Sequence, residues 1–432
     1  MVRWLLILLG LCCALQARAD SSQFTVIPYR YQKIFHQANR DVRRLIHRLP
    51  RQRSPHYLNR LVQASAHYLV AQHIPYMYVG AEGEGSWCGA KLSRRGCSHI
   101  QQDLVYRTDN MDCFTLVQFV LALVDAHSLS AFQQHIIQVD YGAASLFGQP
   151  SNVVAYYNRN NFVSADFNPV NQRRGWIRDV SGQGIFKRYL KSTSAVIDHR
   201  QWFAKKAKAQ QVKTNVRVLR ASNGARMVKR LRAHYASFYK PENVSITYIP
   251  KRVLVVKRHR TYVANPQMIN QIPVPSIVEI VRNVKKWKDR GVNIQKLIGS
   301  GINVSHAGLL YAEHFKNKQI IDQRITCKKH WFSGVTCQVT PVRCQKRHGC
   351  KEIMMLAATN AYPSRFLWSE NKKTHHYYCT APDNLPRHAK RLTTCNRVMA
   401  MPFGDYITRK EYGQFIYLNA ASILGFNVEK ML

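Results

Sequence analysis

Asp109-Asn110-Met111-Asp112-Cys113-Phe114-Thr115 opens a helix, and Val304-Ser305-His306-Ala307-Gly308 begins a strand much later in the chain. Across residues 111–126 the apolar positions Phe114, Val117, Val120, Leu121 and Val124 recur at helical spacing. Asp109 and Asn110 are good N-cap residues, and nothing before them continues the pattern. Cys113 therefore falls in the first turn, where unpaired backbone N–H groups and the helix dipole favour an anion. A thiolate is the nucleophilic form of cysteine, so the position reads as a reactive one. Taken alone, a cysteine on an apolar helix is a small core residue, so a partner has to decide.

The partner is His306. Residues 304–312 form a short apolar run after the breaker Gly299-Ser300-Gly301, the pattern of a strand. Alternation puts Val304, His306, Gly308 and Leu310 on one face and Ser305, Ala307, Leu309 and Tyr311 on the other. Small residues flank the histidine at Ser305, Ala307 and Gly308, leaving room for a helix end or a substrate. A histidine paired with a cysteine supplies a general base near neutral pH, which is the core of a thiol hydrolase.

Residues 1–19 read as a secretory signal: Arg3, an apolar stretch over residues 4–15, then Ala17-Arg18-Ala19 before Asp20. No later segment approaches the roughly 18 uninterrupted apolar residues that would span a bilayer, so no transmembrane segment is expected. The expected location is periplasmic or secreted. Eleven cysteines, less Cys12 and Cys13 in the signal and Cys113 as nucleophile, leave eight. An even remainder in an oxidising compartment points to disulfides. Neighbour pairing gives Cys88–Cys97, Cys327–Cys337, Cys344–Cys350 and Cys379–Cys395, although connectivity does not follow from sequence. The rival is a zinc site around residues 327–350 with His330 or His348, but the spacings lack the tight Cys-x2-Cys of zinc ribbons.

With 432 residues and 46% hydrophobic content the chain has ample material for a core. Lys and Arg number 64 against 23 Asp and Glu, a formal charge of +41. Such a field draws polyanions. The charges run along the whole chain and no nucleic-acid fold signature is visible, so nucleic acid is set aside. An anionic envelope surface remains as a partner beside the alternative of a generally basic, solvated exterior.

A family resemblance rests on these residues. Asp112-Cys113-Phe114-Thr115 before a helix, with His306-Ala307-Gly308 on a strand, resembles the NlpC-type cell-wall cysteine amidases, a circularly rearranged papain-like group. One branch, first catalogued as a domain of unknown function and associated with N-acetylmuramoyl-L-alanine amidase activity, is similar over more of the chain. Ile74-Pro75-Tyr76-Met77-Tyr78-Val79-Gly80 resembles its upstream segment. Gln138-Val139-Asp140-Tyr141-Gly142 and Asn158-Arg159-Asn160-Asn161-Phe162, with Asp166, resemble its stretches after the catalytic helix. Ile272-Pro273-Val274-Pro275 and the apolar residues 277–281 resemble the strand before the histidine. The patches run over residues 74–311. Three features depart from the family. Pro275-Ser276 replaces a Gly-Asp turn, Met355-Leu356-Ala357-Ala358-Thr359-Asn360 lacks a histidine, and residues 316–351 are an unmatched basic, cysteine-rich insertion.

The resemblance implies an α+β, papain-like NlpC-type fold. N-terminal helices come first, and the catalytic cysteine helix packs on a mostly antiparallel sheet with large insertions. It implies one domain over residues 20–432, with a basic helical insertion near 200–240 and the cysteine-rich one near 316–351. Cys113 and His306 would be catalytic, with Thr359 or Asn360 orienting the imidazole. Tyr76, Tyr78 and Arg159 would meet the substrate, and Asp112 would brace the loop before the nucleophile. The substrate would be peptidoglycan fragments (muropeptides), cleaved with neither cofactor nor metal. The bond implied lies between muramic acid and L-alanine. The alternatives are a γ-D-glutamyl-diamino acid endopeptidase and a non-catalytic basic envelope-binding protein on the same fold.

Overall fold

Phe35, Ala38, Val42, Leu45 and Leu49 recur every three or four residues and are buried, while Lys33, His36, Arg40, Arg43, Arg44, His47 and Arg48 lie outward. That stripe makes Tyr29–Arg48 an amphipathic helix, α1. A second helix, α2 (Tyr57–Ala71), packs beside it. Tyr68 on α2 donates to the buried Asp41 on α1, as Thr108 does at 2.6 Å. The structure is a computed structural model that describes residues 29–50, 56–72, 74–76, 105–143, 158–202, 205, 240–258, 261–289, 291–315, 320–330, 334–343, 350–359, 367–371, 376–380, 393–394, 397–408 and 422–432. The signal expected at 1–19, Tyr78, Asn360, Cys88, Cys97, Cys344, Cys395 and most of the insertion expected at 200–240 lie outside the described residues.

The cysteine helix, α3 (Cys113–Ala122), is buried on every side from Thr115 to Ala122, so it is the filling between layers. It is shorter than the 111–126 periodicity predicts. Asp109 is engaged by the Arg107 guanidinium and does not cap. Asp112 caps instead, accepting from Phe114 N–H at 2.9 Å and Thr115 N–H at 2.7 Å, while the Asp112 N–H donates to Thr115 Oγ1. After α4 (Leu129–Asp140) comes a π-helical turn, Val163–Phe167, which runs into α5 (Asn168–Arg173).

The principal strands are β1 (Ile177–Asp179), β2 (Lys191–Ile197), β3 (Glu242–Pro250), β4 (Ser276–Arg282), β5 (Val304–Phe315), β6 (Ile320–His330), β7 (Gly334–Arg343), β8 (Cys350–Thr359), β9 (Arg397–Pro402) and, after the helix α6 (Phe403–Thr408), β10 (Ile423–Met431). Eight of them form one sheet in the order β9-β8-β5-β4-β10-β3-β2, with β1 also on β10. Every pairing in it is antiparallel. The α+β architecture with an antiparallel sheet is thus as expected. The apolar residues over 411–428 predict only a stretch that packs back on the body. In the fold, β10 sits between β4 and β3 at the centre of the sheet. The apolar run over residues 253–257 predicts a strand, but it begins in the short helix Lys251–Leu254 and becomes extended only from Val255.

The sheet separates two apolar layers. Ala307, Leu309, Tyr311, Leu356, Ala358, Val398 and Ile277 face α1 to α4. Leu310, Met355, Ala357, Met399, Val278, Ile280 and Phe426 face the other way, against Phe403, Tyr406 and Ile407 of α6. The basic insertion contains the β6–β7 hairpin, whose register sets Cys327 directly opposite Cys337. Among the described residues no helix is long and apolar enough to cross a membrane.

Candidate active site

The β5 ladder departs from simple alternation. Ala307 pairs with Glu279 on β4, but Val304 pairs with Val281, so β5 carries one extra residue at Ser305–His306. A bulge of this kind re-aims side chains and is enriched beside active sites. It puts Val304 on the face of Ala307, correcting the expectation that Val304 and His306 share a face. His306 lies instead against α6, its ring stacked nearly parallel on Tyr406 with centroids 6.1 Å apart. The β5–β8 ladder ends at Leu309–Leu356, so residues 304–308 have no β8 partner along that edge among the described residues.

Cys113 comes to that edge from the helical side. The backbone N–H of Ala307, the residue directly after His306, lies close enough to the Cys113 sulphur to favour its charged form, as do the N–H groups of Cys113 and Phe114. The structure therefore brings α3 and the histidine strand together as the sequence pattern predicts. It does not give the expected thiolate. Burial, then the adjacent Asp112 carboxylate, push the thiol up to about 12, against the pull of the three N–H donors. Burial, then the positive Arg282, bring His306 down to about 3. The free site holds a neutral thiol and a neutral imidazole. His306 Nε2 is buried with no hydrogen-bond partner among the described residues.

The other expected site residues fall in different places. Asp112 is the N-cap of α3, a bracing role, and its charge raises the thiol. Pro75 accepts from the Met111 N–H at 3.0 Å, so Tyr76 pairs in parallel with Met111 and runs beside the loop into α3. Its phenol is close enough to Tyr406 to raise that residue. Arg159 is buried at 6% exposure and donates to Gln118 Oε1 on α3 at 3.3 Å, and burial lowers its guanidinium to about 9. Thr359 is the last position of β8, opposite Arg397. The buried Asp166 accepts from the Phe162 N–H at 2.9 Å and lies 2.9 Å from His199 Nε2, tying the π-helical turn to the next segment.

Three features escaped the sequence reading. Tyr406 on α6 is buried, and its hydroxyl has no hydrogen-bond partner among the described residues. Burial raises it well above the usual tyrosine range, and the proximity of Cys113 and Tyr76 raises it further. Arg282 closes β4 beside the bulge, donating to Ser305 Oγ at 2.6 Å and Ser422 Oγ at 2.9 Å while lying over Trp287. On the helical face, Glu279 (opposite Ala307 in the ladder) and Glu429 on β10 are both buried. Asn168 Nδ2 donates to both carboxyls, at 3.1 and 3.3 Å. Burial raises Glu279 to about 8, and burial together with Glu279 raises Glu429 to about 9. None has a local signal, because each acquires its neighbours only through the sheet order.

With that geometry in hand, comparison with known proteins identifies relatives. The family described as N-acetylmuramoyl-L-alanine amidase-like (AmiA-like) matches residues 91–323, a span that includes both Cys113 and His306. No curated protein matches the chain. A crystal structure of a Legionella pneumophila protein of the DUF1460 family aligns at a TM-score of 0.57 and 20% identity, covering 93% of this chain and 96% of that one. This likeness speaks for the fold alone. A Bacteroides fragilis protein, provisionally described as a xylanase, aligns at a TM-score of 0.38 and 15% identity over 83% and 96% of the two chains, and carries no argument.

Proposed function

Because the chain belongs to the N-acetylmuramoyl-L-alanine amidase-like family, we propose that it is an exported cysteine amidase with a papain-like, NlpC-type site. It cleaves the bond between the lactyl group of muramic acid and L-alanine in peptidoglycan fragments. One observation carries this reading. The Cys113 sulphur sits in the first turn of a helix beside the backbone N–H of Ala307, and Ala307 follows a buried histidine whose Nε2 has no partner among the described residues. A buried imidazole nitrogen without a partner is open to an incoming polar group, and charge that develops on a bound substrate would raise its basicity from the low value of the free site.

The chemistry follows from the placement. As the amide carbonyl meets Cys113, the thiol proton passes to His306 and the sulphur–carbon bond forms. The carbonyl electron pair moves onto oxygen, where backbone N–H groups at the start of α3 receive it. Collapse breaks the carbon–nitrogen bond, and the amine of L-alanine leaves with the proton from His306. Water then resolves the thioester, with His306 again as base, and releases the lactyl carboxylate. Thr359, or Asn360 after it, orients the imidazole. Tyr76 and Tyr78 line the approach. The neutral thiol and imidazole also favour a second reading, a basic envelope-binding protein on a hydrolase fold, because neither group is activated in the free state.

Mass spectrometry of purified muropeptides, incubated with the mature protein and with Cys113→Ala, separates these readings. Free stem peptide from the unsubstituted protein alone is the expected result. Cleavage inside the stem would make it the γ-D-glutamyl-diamino acid endopeptidase, and no turnover would leave the binding protein.

A further inference from the structure

The hydroxyl of Tyr406 has no structural reason to be there. Its ring stacks on His306 and fills the layer between α6 and the sheet, work that a phenylalanine would do equally well. A buried tyrosine nearly always hydrogen-bonds through its oxygen, and leaving a buried polar atom unpaired costs about 1–3 kcal/mol. Here the oxygen is buried and unpaired beside two more features of the same site. One is the buried Nε2 of His306, unpaired among the described residues, and the other is the Cys113 sulphur, which lies near enough to Tyr406 to raise it. Two orphaned polar atoms carried by one stacked pair, near a nucleophile, mark a place shaped for a polar ligand.

Resting on the amidase reading above, we propose that Tyr406 is a catalytic residue whose hydroxyl donates a hydrogen bond to the carbonyl oxygen of the scissile amide. The phenol stays protonated throughout, so it acts as a donor and never as the base. No proton leaves it. It holds the oxygen that gains the carbonyl electron pair when the sulphur–carbon bond forms, and releases it when the carbon–nitrogen bond breaks. It completes, from the α6 side, the donor set that the start of α3 supplies from the other. The same stack holds the His306 ring against α6.

The test is Tyr406→Phe, which keeps the ring and deletes one atom. With a purified N-acetylmuramoyl-peptide as substrate, kcat is expected to fall roughly 100-fold with KM within about twofold. The melting temperature should stay level or rise, because an unpaired buried hydroxyl has been removed. A purely structural hydroxyl gives the opposite pattern, a lower melting temperature with kcat retained, and that outcome overturns the proposal. Unchanged kcat at unchanged stability overturns it as well. Should the variant fail to fold, 3-fluorotyrosine placed at position 406 changes only the acidity of the hydroxyl. In that protein kcat must move by at least about twofold, and a constant kcat refutes the role. If the unsubstituted protein does not turn over the substrate, the amidase reading falls and this inference falls with it. Turnover by the unsubstituted protein and by Tyr406→Phe alike removes the inference alone.

Discussion

Iodoacetamide should alkylate Cys113 slowly at neutral pH, and faster in proportion to hydroxide. The thiol is pushed up to about 12 by burial and by Asp112. At pH 8 about one sulphur in ten thousand is then thiolate, against about one in four for a free cysteine. That is a deficit of about three and a half orders of magnitude. A more basic thiolate is intrinsically more nucleophilic, and a Brønsted slope of about 0.4–0.5 returns roughly one and a half of them. The net expectation is a rate about a hundredfold below that of a free thiol, before any loss from restricted access. The assay follows modification of the peptide carrying Cys113 by mass spectrometry from pH 5 to pH 10. The rate should climb about tenfold per pH unit with no plateau in that range. Asp112→Asn keeps a good cap but removes the carboxylate that raises the thiol, so it should speed alkylation several-fold at every pH. A plateau between pH 5 and pH 8 that vanishes in His306→Ala would refute the reasoning. It would mean that a thiolate–imidazolium pair already exists in the free protein and that burial does not decide the charge state.

Two further outcomes follow from the frame of the site. Burial holds Glu279 and Glu429 protonated well above their ordinary 4.5, so the folded state keeps protons that the unfolded chain has released. That stabilisation is present below pH 4.5 and is lost as pH rises toward 8 and 9. The melting temperature should fall across that window, and Glu429→Gln should flatten the fall in a calorimetric pH series; a parallel decline in the variant would remove the pair as its cause. Gly308→Ala puts a Cβ against Met355 Cε and 2.9 Å from Leu356 O, where the β5–β8 ladder is about to end. Overpacking of about 1–3 kcal/mol should lower the melting temperature by at least about 2 °C, and an unchanged melt would show that the ladder end relaxes freely.

Periodicity and turn chemistry make α3 and β5 legible, because both are local. Phe114, Val117, Val120 and Leu121 announce a helix, and the breaker at 299–301 announces a strand. The boundary slipped because Asp109, Asn110 and Asp112 are all acceptable caps, and only the structure shows that Arg107 has taken Asp109. The bulge at Ser305–His306 leaves no compositional trace, since one extra residue looks like any other. Tyr406 and Glu429 are invisible for a topological reason. The chain's last strand enters the middle of the sheet between β4 and β3, and α6 reaches His306 only after β9 has paired along β8.

The most instructive divergence is the charge on the sulphur. A helix start is worth about 0.3–1 kcal/mol to an anion, which moves a pKa by less than about one. That suffices where the first turn meets water. The sequence of α3 runs Cys-Phe-Thr-Leu-Val-Gln-Phe-Val-Leu-Ala with hardly a polar break, the pattern of a helix enclosed on all sides from Thr115 onward, and the half-buried Cys113 sits at the mouth of that enclosure. Enclosure withdraws solvation from a thiolate and an imidazolium alike, and it outweighs both the dipole and the three N–H donors at the sulphur. The same dryness strengthens every donor that meets a developing oxyanion. A site so built is quiet when empty and gains its electrostatic force only when a substrate supplies the charge. The unpaired Nε2 of His306 and hydroxyl of Tyr406 are the atoms placed to receive it.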